Sequence, residues 1–402
     1  MSRARQKEYI EENVYIESKN RIKYLYESFD NVVVNFSAGK DSTVVLNLTI
    51  EVAAELNKEV IVNFFDEEAI HPPTIEYAYR VANQKGVQFN WYCLEFKHRN
   101  ACSNEEPFWY CWDKEKRDLW VRELPESDSL ITEHKKFKKG MSFQEFSSLL
   151  PDRSVGTTVI MTGVRTQESF RRMKAVAVKK NDNYIAREGH VAHAHPIYDW
   201  SSEDVWLAVT KFDWDYNKTY DVMNQTGLHN RFLAQRVCPP FGEEPLRGLW
   251  MYAECFPEMW HKMLNRVDGV ATAWRYANTD IYGYGKIEKP EDATYKKWAE
   301  MLLESYDTVN SNTVKKNIND IIRRHFQKTK DPIPDDDVHP LTGTGWAFLC
   351  KLIIKGDFKG RTAPTLENAA VNKQQKLGIK SFDEAIMKFG SEQYKMKRFG
   401  KR

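Results

Sequence analysis

The stretch Asn31-Val-Val-Val-Asn-Phe-Ser37-Ala38-Gly39-Lys40-Asp41-Ser42-Thr43-Val-Val-Leu46 decides the fold class. Its three consecutive valines predict a buried strand. Small residues follow at once, and then a helix-compatible segment from Ser42 to about Asn57. Strand, tight loop and helix N-terminus together cradle phosphate: loop N–H groups converge, the helix dipole favours negative charge, and glycine admits close approach. The spacing excludes a Walker A loop, because the first glycine of G-x-x-x-x-G-K-S/T is missing. The aspartate after the lysine points to cleavage between the α- and β-phosphates of ATP, not to γ-phosphoryl transfer.

Outward from this stretch the pattern repeats. Glu59-Val-Ile-Val-Asn-Phe-Phe65 predicts a second buried strand that ends in Asp66-Glu67. Pro72-Pro73 opens a helix over Thr74 to Gln84, and Val87 to Leu94 alternates like a third strand. This βαβαβ rhythm predicts a parallel twisted sheet with helices on both faces. Ligands of such sheets sit beyond the carboxyl ends of the strands, where both Ser37–Ser42 and Asp66-Glu67 fall. An aromatic block over Asn104 to Leu124 and a polar insertion to about Ser154 precede a further strand, Val155 to Met161. Ser201 or Ser202 is placed to cap a helix carrying Glu203 and Asp204 in its first turn. Beyond about Asp215 the chain turns helical, with helices expected over Pro257 to Asn265, Ala293 to Glu304 and Thr308 to Lys328. Asp331 to Asp337 reads as a linker, and helical pieces follow at Trp346 to Ile354 and Ser381 to Phe389. The expected organisation is an N-terminal helix (1–30), a phosphate-loop domain (31–215), a helical region (216–330) and a linker with a small basic C-terminal segment (331–402).

Composition narrows the function classes. The chain has 402 residues, 42% hydrophobic and 29% charged, as in an ordinary soluble protein. No apolar stretch reaches 18 residues, and the first residues lack the apolar core of a signal peptide, so a cytoplasmic, membrane-free protein is expected. A net charge of +2 does not imply a nucleic-acid partner. The basic clusters at His134–Lys139, Lys315-Lys316, Arg323-Arg324 and Lys395–Arg402 are solvated faces or a contact for nucleic acid. The six cysteines form no C-x-x-C pair; they read as buried apolar residues, and no iron–sulfur cluster is expected.

Three segments together resemble one family. Ser37-Ala-Gly-Lys-Asp-Ser42 is similar to the S-x-G-x-D-S loop of PP-loop ATP pyrophosphatases. Gly163-Val-Arg165-Thr-Gln-Glu168-Ser169-Phe-Arg-Arg172 resembles the G-x-R-x-x-E-S-x-x-R segment of their phosphoadenosine phosphosulfate (PAPS) reductase-like branch. Pro196-Ile-Tyr-Asp199-Trp200, followed by Asp204-Val-Trp206, resembles that branch's P-I-x-D-W-x-x-x-D-V-W. Asp66 with Pro73-Thr74 matches its D-T…P-E-T strand end, except that Glu67 replaces the threonine. The Trp-rich block and the helical C-terminal half resemble a bacterial and phage subgroup that has a C-terminal domain of unknown function and often a ParB-like partner protein.

The resemblance implies an adenine nucleotide α-hydrolase-like, Rossmann-like fold and an adenine nucleotide ligand: ATP, or phosphoadenylyl or adenylyl sulfate, with Mg²⁺. Ser37, Ala38, Gly39, Ser42 and Thr43 would hold phosphates, and Lys40 would neutralise charge on the bridging oxygen. Asp41 would orient Mg²⁺ or a phosphate-bound water. Asp66 and Glu67 would bind ribose or metal, or serve as plain helix caps. Gly163, Arg165, Glu168, Ser169 and Arg172 would surround a phosphate or sulfate, the two arginines by bidentate contact. Against this stands a solvated basic helix start at Arg171, Arg172 and Lys174. His193 with His195, or His98 with Cys102 and Cys111, are candidate metal ligands or ordinary hydrogen-bonded side chains. Three functions follow: ATP-dependent nucleotidyl transfer or activation, sulfonucleotide reduction, or nucleotide sensing without turnover. Reduction would need a cysteine in an E-C-G-x-H tail, whereas this chain ends Lys397-Arg-Phe-Gly-Lys-Arg402 and its last cysteine, Cys350, sits in an apolar run. The expected activity is therefore ATP pyrophosphatase chemistry.

Overall fold

The computed structural model describes residues 11–103, 105–169, 172–173, 176, 184–227, 235–242, 245–276, 289–305, 311–354 and 362–400. Arg171, Lys174, the expected helix start at Thr308 and the ends of the chain lie outside the described residues. The described residues form two compact units, 11–276 and 289–400.

In the larger unit, helix α1 (Val14–Ser28) is capped by the Asn13 side chain and leads into β1 (Asn31–Phe36). Val32, Val33 and Val34 are all buried, as a strand covered on both faces requires. Helix α2 (Lys40–Glu55), β2 (Val60–Phe65), α3 (Pro72–Ala82) and β3 (Val87–Tyr92) complete the βαβαβ unit. Pro72 and Pro73 sit in the first turn of α3, where a missing N–H costs nothing. A separate antiparallel ribbon follows, in which β4 (Lys97–Arg99) pairs with β5 (Phe108–Tyr110) of the Trp-rich block. The expected polar insertion is structured: β6 (Leu130–Ile131) extends the main sheet beside β3, and α4 (Phe143–Leu149) begins with a Ser142–Glu145 capping box. A two-residue strand carries too little alternation to be read in advance.

Strand β7 (Thr158–Met161) and the hairpin β8 (Ile185–Glu188) and β9 (Val191–Ala194) complete seven strands in the order β6-β3-β2-β1-β7-β9-β8. Every neighbouring pair is parallel except β8–β9. The fold class is the expected one, a largely parallel sheet flanked by helices. After β1 the chain builds outward through β2 and β3, then returns to place β7 on the other side of β1. Ligands favour this reversal point in open α/β sheets. Helix α5 (Ser202–Lys211) starts with a Ser201–Asp204 capping box, and α6 (Thr219–Gln225), α7 (Leu249–Cys255), α8 (Pro257–Arg266) and α9 (Val270–Tyr276) follow.

One buried ion pair ties these late helices to the sheet. Glu68, three residues past β2, takes Arg266 of α8 through both guanidinium arms at 2.8 and 2.9 Å. The same carboxylate accepts the N–H groups of Trp112 at 2.6 Å and Val121 at 3.0 Å. Both side chains are essentially excluded from solvent, at 1% and 0% exposure. Beside it, fully buried Asp66 accepts Trp91 Nε1 at 2.7 Å and pairs with Arg122.

The smaller unit is helical: α10 (Tyr295–Ser305), α11 (Ser311–Lys328), α12 (Trp346–Ile354), α13 (Thr362–Lys376), α14 (Phe382–Phe389) and α15 (Glu392–Phe399). Ala299, Val314, Ile318, Leu349 and Ile353 form the centre of one of its apolar clusters. The stretch expected to be a linker does structural work within this unit. Asp335 caps α10, accepting Tyr295 N–H at 3.0 Å and Lys296 N–H at 2.9 Å.

Arg266→Ala would strand the Glu68 charge inside the protein. It is expected to cost about 3–5 kcal/mol, as for other broken buried pairs, measured as a lower urea midpoint by tryptophan fluorescence. Lys114→Ala breaks the exposed pair with Glu133 and should leave that midpoint in place.

Candidate functional site

The site begins where β1 ends. Ala38, fully buried, adopts a left-handed backbone (φ 55°), an uncommon state for a residue with a Cβ. The turn brings Ser37 and Ser42 hydroxyls to 3.1 Å, and Ser42 Oγ donates to Gly39 O at 2.9 Å. The first helical bond of α2 runs from Thr43 N–H to Gly39 O at 2.9 Å, leaving the preceding N–H groups outside the helical ladder. Asp41 adds negative charge to this first turn, on the favourable side of the helix dipole.

The loop after β7 closes over the same helix terminus. A Cβ built on Gly163 would lie 2.6 Å from Asp41 C and 2.7 Å from Ser42 N, so only glycine permits this approach. Two residues on, Arg165 is 2% exposed and donates through Nε to Asp41 Oδ1 at 2.6 Å. Its other nitrogens reach Gln167 Oε1 at 3.1 Å, Trp200 O at 3.3 Å and Ser202 Oγ at 3.2 Å. Lys40 Nζ donates to the other Asp41 oxygen at 3.1 Å. Asp41 thus lies between a lysine and an arginine, a row of alternating charges at the head of α2.

This arrangement bears on the expected roles. Arg165 meets Asp41 and the start of α5, not open solvent, so it locks the β7 loop onto the phosphate loop. Arg172 pairs with Glu168, and Ser169 Oγ accepts Arg172 N–H at 3.2 Å. Both carboxylate oxygens of Asp41 meet a cation, Lys40 on one and Arg165 on the other. Thr43 is fully buried, and its hydroxyl accepts from Tyr77 at 3.1 Å.

Asp66 and Glu67 part ways. Asp66 is spent on Arg122 and Trp91, which makes it a structural anchor of β2 and β3. Glu67 keeps 19% side-chain exposure and lies 3.2 Å from His98 Nδ1. Burial, and behind it the neighbouring Asp66 charge, push its carboxyl up to about 8. Of the candidate metal ligands, His195 Nδ1 meets Thr162 Oγ1 at 2.8 Å and His193 Nε2 lies 3.4 Å from Ser148 Oγ. Cys111 is fully buried, and burial pushes the Cys102 thiol up to about 12. Among the described residues no three histidine, cysteine, aspartate or glutamate side chains gather as a metal site.

Several residues of the site carried no sequence signal. Asn217, just before α6, donates to Ala38 O at 3.0 Å and to Thr74 Oγ1 at 2.9 Å. Thr219 and Thr74 hydroxyls meet at 3.0 Å, and the Tyr220 hydroxyl accepts Lys40 N–H at 2.9 Å. His71, at the head of α3, is 2% exposed and stacks on Tyr252 at 4.4 Å. Neither of its ring nitrogens has a hydrogen-bond partner, and burial lowers it to about 3, so it stays neutral. A spacing rule finds none of these, because their contacts are made only in the folded chain.

Residues 31–226 match the phosphoadenosine phosphosulfate reductase domain, and residues 230–362 match a domain of unknown function, DUF3440. The chain is 30% identical over 367 residues to the uncharacterized protein YbdN of Escherichia coli (strain K12), spanning 86% of this chain and 89% of that protein. It is 27% identical over 277 residues to the uncharacterized protein MJ0066 of Methanocaldococcus jannaschii, spanning 67% of this chain and 47% of that one. A phosphoadenylyl-sulfate reductase from Candida auris in a phosphate complex aligns at 14% identity over 54% of this chain and 94% of its own, with a TM-score of 0.30.

Glu67 gives the site a pH signature. A carboxyl that titrates near 8 in the folded state and near 4.5 when unfolded binds its proton more tightly when folded. Its contribution is therefore fully present below the unfolded value and is lost as pH rises toward 8. Glu67→Gln, which mimics the protonated form, should match the wild-type melting temperature at about pH 4–5 and exceed it increasingly toward about pH 8. Parallel thermal melts across that window measure the divergence.

Proposed function

The chain belongs to the phosphoadenosine phosphosulfate reductase-domain family, and from that premise we propose that it binds ATP on the Ser37–Ser42 loop and cleaves it between the α- and β-phosphates. The observation that carries this reading is the Lys40–Asp41–Arg165 row, fixed at the N-terminus of α2 where the order of the sheet reverses. The Asp41 and Ser42 N–H groups, which precede the α2 ladder, receive phosphate oxygens, and the positive end of the helix adds to their pull. Lys40, only 8% exposed, is close enough to shift its ammonium from Asp41 to the bridging oxygen on which charge develops. In a partly desolvated site that contact is stronger in the transition state than it would be in water. As the lysine moves away, Arg165 still holds Asp41, so the carboxylate does not become an unpaired charge facing the nucleotide.

Pyrophosphate leaves, and the adenylyl group passes to an acceptor, which the activation then opens to nucleotidyl or sulfur transfer. Thiol-based reduction has less support from the cysteines of the chain. Cys93, Cys102 and Cys111 are buried with their ionisation pushed up, and the Cys350 thiol, raised to about 11, donates to Tyr295 O at 3.2 Å. A protonated thiol is a poor nucleophile. The basic clusters of the C-terminal unit suit a nucleic acid as the acceptor: residues 278–402 hold 23 lysines and arginines against 17 acidic residues.

Mass spectrometry of the products from ATP tests the reading: AMP or an adenylylated acceptor together with pyrophosphate is expected, and ADP with phosphate would refute it. Lys40→Ala should lower pyrophosphate release by about a hundredfold or more, in the range seen on removing one preorganised donor to a transition-state charge. Its melting temperature should stay close to wild type.

A further inference from the structure

Tyr220 belongs to α6, 180 positions along the chain from the lysine it touches. Its hydroxyl accepts Lys40 N–H at 2.9 Å and lies 3.5 Å from the point a Cβ on Gly39 would occupy. The ring is 3% exposed and is met edge-on by Trp206 at 5.2 Å. The Lys40 ammonium lies 6.0 Å from the ring centre. Asn217 and Thr219, buried on the same turn, bind Ala38 and Thr74, so the start of α6 is pinned to the loop at two points, Ala38 and Lys40, and to α3 at Thr74.

A tyrosine hydroxyl that accepts one hydrogen bond still has its own proton to donate. Among the described residues no acceptor takes that proton. Burial, followed by the Asp41 carboxylate, pushes the ionisation of Tyr220 up, so the proton stays in place at any working pH. The hydroxyl therefore sits at the helix terminus with its accepting side turned to the loop and its donating side unspent.

We propose that Tyr220 is a phosphate-reading residue of the nucleotide site, its hydroxyl accepting Lys40 N–H and donating to a phosphate oxygen of the bound nucleotide. This rests on the assignment of the Ser37–Ser42 loop to an adenine nucleotide. The tyrosine extends the donor set of the loop by one O–H, and its donor strengthens as the Lys40 N–H polarises it. The contact is made to phosphate and not to base or ribose, so it discriminates between ligands that differ only in phosphate.

The test is titration of ATP and of adenosine against wild type and Tyr220→Phe, with melting temperatures as the fold control. The expected result is a loss of about tenfold or more in ATP affinity with adenosine affinity unchanged, as for a hydrogen bond to a charged group. Equal losses for the two ligands would reduce Tyr220 to a packing role, and unchanged or tighter ATP binding would make the hydroxyl a plug that the nucleotide displaces; either overturns the proposal. Should Tyr220→Phe fail to fold, 3-fluorotyrosine placed at position 220 of the otherwise native chain answers the same question. Its ¹⁹F resonance should shift with ATP and not with adenosine, and the reverse pattern overturns the contact. Failure of the wild-type chain to bind ATP at all removes the nucleotide assignment and this proposal together, whereas the Tyr220→Phe outcomes bear on the tyrosine alone.

Discussion

The larger unit depends on one buried carboxylate. Glu68 sits just beyond β2 with a left-handed backbone (φ 60°), which turns its side chain inward at the carboxyl end of the sheet. There it collects Arg266, Trp112 N–H and Val121 N–H, groups from three separate parts of the chain. A desolvated charge is tolerated only when nearly every lone pair is used, and four short hydrogen bonds from two donors of main chain and one guanidinium meet that demand. Arg266 also donates to Tyr110 O at 2.6 Å and faces the Trp109 ring, so the aromatic block and the late helices are held against β2 by one cation. The neighbouring Asp66–Arg122 pair repeats the device at the same strand end.

The phosphate loop shows a second use of the same physics. Lys40 and Arg165 share the single carboxylate of Asp41 at the head of α2, so the row keeps one excess positive charge that favours an incoming anion. An incoming phosphate would exchange one ion pair for another, and the electrostatic cost of opening the site stays small. The site rests on residues brought in from β7 and α6 as well as from β1. Gly163 allows the β7 loop to touch the backbone of α2, and Asn217 and Tyr220 hold the loop from the other direction.

How much of this was legible in advance follows from how local each cause is. The strands β1, β2 and β3 and the helices beside them were readable because three valines, a proline pair and a glycine-containing loop act within a few residues. The Ser201 cap and the α8 helix were readable for the same reason, and the Gly163–Arg172 segment through its resemblance to a family motif. Strand β6 was not, since two residues have no period, and nothing within Asp331–Asp337 signals that Asp335 caps α10. Among the site residues, the resemblance singles out Arg165 and implies a phosphate or sulfate for it, whereas the fold pairs it with Asp41.

The sequence by itself determined the parallel sheet, the phosphate loop after β1 and the family to which the chain belongs. These follow from hydrophobic period, turn chemistry and short motifs, all of which are local. Tertiary structure alone decided which charges pair, that Asp66 is an anchor while Glu67 keeps a raised carboxyl, and that Tyr220 reaches the first amide of α2. Each of these joins residues far apart in the chain, and the free energy of a buried charge or hydroxyl depends on what surrounds it in space, which no run of neighbours in the sequence encodes.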